Sequence, residues 1–206
     1  MAYRETEKMR KRKAEARQRI IDCTYECVTE GGFRSARITR IAGLAEVATG
    51  TIYRHFESRE DLFAEVFRLA TEKEITKVTE ALNTPGNAAE RLEAALRQFS
   101  ERALRGPVMA WSLLAEPVDP KVEEERLAYR KAYADLFEKT IRHGIEEGCI
   151  PEQNARQSST CLVGAIAESL VGPLSPTHTN QTTNKNDPLV DAIIRFCMQG
   201  LTGTRR

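Results

Sequence analysis

Along nearly the whole chain, apolar residues recur at spacings of three and four, the period of a helix with one buried face, rather than alternating as in a half-buried strand. Ile20, Cys23, Thr24, Cys27 and Val28 form the first stripe, and Gly31-Gly32 supplies a stop at its C-terminal end. Ile38, Ile41, Ala42 and Ala45 make a short second face. After Val47 comes a third segment of about seven residues, containing Thr51, Ile52 and Tyr53. Ser58 stands three residues before Asp61, close to a capping box, and opens a longer helix carrying Leu62, Phe63, Val66, Phe67 and Ala70, which continues through Ile75, Val78 and Leu82 to Pro85-Gly86. The second region repeats the pattern on a larger scale. Leu92, Leu96, Phe99 and Ala103 break at Gly106-Pro107, and an apolar run from Val108 to Leu114 ends before Pro117. Asp119 is placed to cap a long helix with Leu127, Ala134, Phe137, Ile141 and Ile145, stopped by Gly148. Two further helices fall near 152–171 and 188–200. Such stripes are buried only against other helices. The expected architecture is all-α: a three-helix head joined to a larger helical bundle, with a boundary near residue 60 (1–60 and 61–206). The segment from Ser175 to Asp187 has no apolar residue and reads as a surface loop.

With 206 residues, 41% hydrophobic and 30% charged, the chain has the makeup of an ordinary soluble fold. It lacks the roughly 18 consecutive apolar residues of a membrane span and the apolar core of a secretory leader, so a cytoplasmic protein with no membrane partner is expected. Five cysteines, Cys23, Cys27, Cys149, Cys161 and Cys197, fall in stretches that read as helix; they are expected to be thiols, and neither a metal site nor a cofactor is indicated. The net charge of +1 hides an asymmetry. Residues 1–60 hold 13 Lys or Arg against 9 Asp or Glu, and residues 1–19 alone hold 8 against 3. That front-loaded charge fits either a solvated helix start or an arm held near phosphates.

The stretch from Ile38 to Phe56 decides between them. Two short helices joined by a tight turn and preceded by a supporting helix have the dimensions of a helix-turn-helix, whose second helix enters the major groove. Ala42, Val47 and Ile52 would sit between the helices. Gly50, which weakens a helix, is explained by close approach either to DNA or to the first helix. Thr49 and Thr51 are placed to contact base edges or phosphates. Tyr53 and His55 are potential donors to phosphate oxygens, and Arg37, Arg40 and Arg54 supply charge. His55 is equally explained as a packed residue at the helix end, Arg54 as part of a solvated face, and Thr39 as solvent-facing, a local cap or a phosphate contact.

Gly32-Phe33, Ile38 through Ala42, Ala45, Val47 and above all Gly50-Thr51-Ile52-Tyr53-Arg54-His55-Phe56, followed by Ser58 and Leu62, closely resemble the TetR family of transcriptional regulators over about residues 20 to 65. The resemblance implies a scaffold helix at Arg37–Ala45 and a recognition helix at Ala48–His55. It implies DNA contacts at Thr49, Thr51, Tyr53 and His55, and a phosphate contact at Arg59. Two departures stand out. The turn reads Ala45-Glu46-Val47-Ala48 where the family has Ala-Gly-Val-Ser, which puts a non-glycine where φ is often positive and removes a capping hydroxyl. Thr49 would take over the cap if the helix began one residue later. The threonine often found before the scaffold helix is also absent, with Ser35 the available substitute.

The resemblance further implies a C-terminal regulatory domain dimerising through its last two helices, near 152–171 and 188–200, so that two recognition helices meet a palindromic double-stranded operator. Gly164, Ala165, Ala167 and Ser169 are small enough to admit a partner helix. Phe99, Met109, Trp111, Leu114, Tyr129, Tyr133 and Phe137 are either packed core or the wall of an effector pocket, a choice only a cavity decides. Arg126 and Arg130, one turn apart, would receive an anion at its mouth or pair with Glu123 and other acids. Glu116 is placed to point inward or to cap the turn. The expected function is a repressor released from DNA by a small hydrophobic or amphipathic effector, a fatty or aromatic acid or its coenzyme A thioester. The alternatives are an activator of the same fold and a helical interaction domain without specific DNA binding. An enzyme is disfavoured: His55, His143 and His178 are scattered, and no nucleophile elbow or glycine-rich phosphate loop is present, so no catalytic residue is assigned.

Overall fold

The computed structural model describes residues 7–177 and 188–203, which form nine helices and no strand. Helices α1 (Glu7–Ser35), α2 (Ile38–Leu44) and α3 (Thr49–His55) make the head, and α4 (Arg59–Leu82) leads out of it. The body consists of α5 (Ala88–Arg105), α6 (Pro107–Leu114), α7 (Pro120–Glu146), α8 (Ala155–Leu174) and α9 (Pro188–Thr202). The anticipated helix order is present throughout. Most of the polar segment after Ser175, His178 within it, and the two terminal arginines lie outside the described residues.

The apolar stripes account for two cores. In the head, Ile20, Val28, Ile41 and Ile52 close around Leu62, Phe63 and Phe67 of α4. In the body, Leu92, Leu96, Ile141, Leu170, Ile194 and Met198 interdigitate. The head core extends through the first two turns of α4, so the expected boundary at residue 60 falls inside a continuous helix rather than in a linker. Ser58 caps α4 as its spacing predicts, its hydroxyl accepting from the Asp61 N–H. Asn87 and Glu90 complete a reciprocal capping box at α5, which the sequence reading overlooked.

Several local expectations are corrected. Helix α3 starts at Thr49 with Ala48 at the N-cap and no side-chain cap, so Thr49 does not recover the missing hydroxyl. Ser35 belongs to the last turn of α1 and does not cap α2, whose N-cap is Arg37. Asp119 is the N-cap of α7 and its carbonyl accepts from the Val122 and Glu123 N–H groups, but its side chain makes no cap hydrogen bond and its carboxylate instead receives Arg59 at 3.1 Å. Cys149 lies in the turn after α7, not in a helix.

Candidate DNA-binding head and effector cavity

The turn between α2 and α3 is a Schellman motif. The Val47 N–H donates to the Ala42 carbonyl at 3.0 Å and the Glu46 N–H to the Gly43 carbonyl at 3.2 Å, which closes the path only with Glu46 in the left-handed region at φ 53°. The glutamate thus adopts the conformation that glycine adopts at lower cost. Val47 packs against the head core, as expected of the residue plugging the turn.

Helix α3 buries Ile52 and turns its polar residues outward. Thr49, Tyr53 and Arg54 are exposed, Tyr53 at 50%, while Thr51 and His55 are half-buried. A Cβ built on Gly50 would meet nothing within 4 Å, so packing against α1 does not explain this glycine. Arg37 and Thr39 are exposed at the start of α2. Arg40 is ion-paired with Glu30, and Arg17 pairs with Glu65 while lying 4.8 Å over the Phe56 ring. Arg59 is also engaged, with Asp119 and over the Phe63 ring at 5.4 Å, so a phosphate there competes with an exposed ion pair of low cost. Burial, reinforced by Lys13, Arg17 and Arg54, lowers the His55 pKa from its ordinary value, leaving a neutral imidazole at pH 7.

A cavity of about 360 Å³ lies where the two cores meet, open on one side. Met109, Leu113 and Tyr129 in its wall pack on the head core; Phe99, Ala110, Leu114 and Tyr133 pack on the body core. Val163, Ile166 and Ala167 of α8 contribute to its wall. Ala167 thus faces the interior and not a partner helix. Helix α1 of the head lines the cavity directly with Tyr25 and Thr29, and α4 adds Phe67, Thr71 and Glu74. Of the nine residues expected to bind an effector, Phe99, Met109, Leu114, Arg126, Tyr129, Arg130, Tyr133 and Phe137 line this space, whereas Trp111 packs against the body core outside the lining. Tyr25, Thr29, Glu74 and Arg102 were not anticipated. They come from separate elements whose meeting leaves no sequence signature, although Tyr25 and Thr29, four apart and offset from the core stripe of α1, mark a second helix face.

Arg126 is a structural brace. It is buried, and its Nε donates to the Leu113 carbonyl at 3.0 Å. Its Nη2 donates to the carbonyls of Ser112 (3.2 Å) and Glu116 (2.7 Å), and its Nη1 pairs with Glu123. These carbonyls lie at and beyond the C-terminal end of α6, which have no helical partner of their own. Arg130 makes only a long 3.5 Å contact to the Leu114 carbonyl, and Arg105 has no ion pair among the described residues. The cations free to receive an anion at the rim are therefore Arg130 and Arg105, not Arg126.

Glu116 joins the two halves. Its carboxylate, 3% exposed, accepts from the Phe33 and Arg34 backbone N–H groups, each at 2.9 Å. Gly32 makes this possible: it sits at φ 76°, kinking α1, and a Cβ there would stand 2.7 Å from a Glu116 oxygen. Both expectations for Gly31-Gly32 and Glu116 are sharpened. The glycine breaks the helix where a carboxylate from the body docks on the head.

A helix-turn-helix head leads through α4 into a helical body, and a ligand-sized cavity lies where their cores meet. Residues 20–66 match the family described as "Bacterial regulatory proteins, tetR family". The fatty acid metabolism regulator protein of Bacillus subtilis is 26% identical over 165 residues, 78% of this chain and 84% of its own length. The transcriptional repressor KstR of Rhodococcus jostii is 35% identical over 96 residues, 46% of this chain and 44% of its own. Among solved structures, FadR of Bacillus subtilis in complex with stearoyl-CoA superimposes with a TM-score of 0.73 at 21% identity, covering 89% of this chain and 98% of that one. The family match spans the helix-turn-helix head and the start of α4, and the likeness of fold extends through the body.

Proposed function

We propose that the protein is a ligand-responsive repressor that binds a palindromic operator as a homodimer and leaves it when a hydrophobic effector with an anionic end fills the cavity. The observation that carries this reading is the position of the cavity. A ligand in it touches α1 of the head, both cores and the α6 terminus tied to Glu116, and so interacts differently with different head orientations. Arg37, Thr39, Thr49, Thr51, Tyr53, Arg54, His55 and Arg59 form the DNA-facing set. Thr49 and Thr51 are assigned to base edges and the others mainly to phosphates, and the open space at Gly50 lets the helix backbone approach the duplex. Two heads on a palindrome need recognition helices about 34 Å apart. The outer faces of α8 and α9 suit the dimer contact: Phe196 is 70% exposed, and Gly164 and Gly200 leave room for a partner backbone.

At roughly 30 Å³ per water-sized group, the cavity holds about a dozen non-hydrogen atoms. A medium-length acyl chain or an aryl group fits inside, with the rest of the molecule leaving through the open side past Arg130 or Arg105. The complex of the Bacillus subtilis FadR with stearoyl-CoA supports the coenzyme A thioester as the first class to test. The test is a fluorescence-polarisation titration against the protein's own upstream DNA and a scrambled duplex at fixed salt, with and without acyl and aryl coenzyme A thioesters. Selective binding relieved by a thioester is expected. Equal weak binding to both duplexes overturns the regulatory reading, and selective binding indifferent to every thioester overturns the effector class.

A further inference from the structure

Apolar walls alone do not describe the cavity, because a polar cluster stands on one side of it. Glu74 of α4 grips Arg102 of α5 through two parallel hydrogen bonds, Nε to Oε2 at 2.8 Å and Nη2 to Oε1 at 2.6 Å. This leaves the second terminal nitrogen, Nη1, without a hydrogen bond among the described residues. Tyr133 of α7 lies close enough for both charges to act on it, and its ring is fixed edge-on against Phe99 at 5.7 Å between centroids. All four residues line the cavity. The Tyr133 side chain is half-buried, and its hydroxyl has no hydrogen-bond partner among the described residues. It is also absent from the solvent-inaccessible unsatisfied atoms, so it faces open space, and the space beside it is the cavity. The hydroxyl is thus a donor available on the cavity surface.

We propose that Tyr133, with Arg102 held in place by Glu74, forms a hydrogen-bond-donating subsite that recognises a carbonyl oxygen within the effector, so that the ligand is an apolar molecule interrupted by a ketone, ester or thioester carbonyl rather than a plain hydrocarbon. The inference rests on the reading of the cavity as the effector site and narrows its ligand class. Desolvation, aided by Glu74, raises the Tyr133 pKa far above its ordinary value, so the hydroxyl remains a donor throughout the physiological range. Glu74 has both oxygens occupied by Arg102, so the group presented to a ligand is donor-rich. Sites built to hydrogen-bond a ligand group discriminate against the analogue that lacks it, because the site's own polar atoms are then left unpaired.

The test uses two neutral probes of the same shape, butyrophenone and butylbenzene, which differ by a carbonyl in place of a methylene and both fit the cavity. Their affinities for the full chain are measured by isothermal titration, alone and with Tyr133→Phe, a substitution that breaks no described hydrogen bond. The wild type is expected to bind the ketone about tenfold more tightly, the worth of one hydrogen bond to a neutral carbonyl. Tyr133→Phe should bring the ratio to within about twofold of unity, again the loss of that one bond. Thr140→Val, a control on the same helix outside the cavity lining, should leave the ratio unchanged. Equal binding of the two probes to the wild type, or a preference that survives Tyr133→Phe, overturns the subsite while leaving the cavity as an effector site. Failure of both probes to bind overturns the cavity reading and the subsite together.

Discussion

Replacing Glu116 with alanine removes the carboxylate that joins body to head while keeping the backbone carbonyl that Arg126 grips. Two hydrogen bonds to an ionised acceptor are lost, at 2.9 Å each, one from the buried Phe33 N–H and one from the part-buried Arg34 N–H. A hydrogen bond to a charged group contributes about 1.5–3 kcal/mol, and an orphaned buried donor costs about 1–3 kcal/mol. Water entering beside Arg34 recovers part of the second bond, so the net destabilisation should be about 2–4 kcal/mol, a large share of the roughly 5–15 kcal/mol that holds an ordinary domain folded. Glu116→Gln should fall between the two proteins, because one amide oxygen still accepts while the amide nitrogen faces a donor. Urea unfolding gives the global value, and hydrogen exchange at the Phe33 and Arg34 amides locates it. If Glu116→Ala unfolds within about 0.5 kcal/mol of the wild type, the size of an ordinary surface substitution, and Phe33 exchange is unchanged, the carboxylate does not join the two halves.

Three further substitutions probe the head. Gly50→Ala should stabilise the free protein by up to about 1 kcal/mol, since a methyl there meets nothing, yet weaken operator binding severalfold if the helix backbone lies against DNA. A gain in stability with unchanged operator affinity would remove that role for Gly50. Glu46→Gly should raise stability by about 0.5–1 kcal/mol by relieving the left-handed residue of the turn, as read by denaturant midpoint, and a loss would mean the glutamate side chain contributes more than its backbone costs. The His55 pKa is lowered in the fold, chiefly by burial, so its contribution to stability is complete above the unfolded value near 6.5 and declines as pH falls through that value toward the folded one. Between pH 7.5 and 5.5, His55→Gln should therefore lose less stability than the wild type, and parallel curves would contradict the lowered pKa of the half-buried imidazole.

Helix order, the recognition helix and most of the cavity wall were legible because each depends on local periodicity or on one contiguous motif. The stripe of Leu92, Leu96, Phe99 and Ala103 needs only its own helix to be read, and Ser58 needs only the residue three ahead. What the sequence did not disclose are meetings between distant segments. Glu116 reaches Phe33 across 83 positions, and Glu74 reaches Arg102 across 28. Arg126 looked like a ligand-binding cation because its carbonyl partners are backbone atoms, invisible in a side-chain pattern. Trp111 was counted with the wall because a short, wholly apolar helix gives no sign of which face it turns to the cavity; α6 turns Met109, Ala110, Leu113 and Leu114 there. The unfilled cap at Ala48 persists because α3 is held by Ile52 in the head core rather than by its terminus.

The central claim is that the cavity and the DNA-facing surface are energetically coupled, and coupling between two binding sites must be reciprocal. The affinity of the full chain for dodecanoyl coenzyme A should therefore be measured by titration with and without saturating operator duplex, alongside operator affinity with and without the thioester. The account predicts that each ligand weakens the other by the same factor, at least about fivefold. A thioester that binds in the cavity with the same affinity on and off DNA would contradict it.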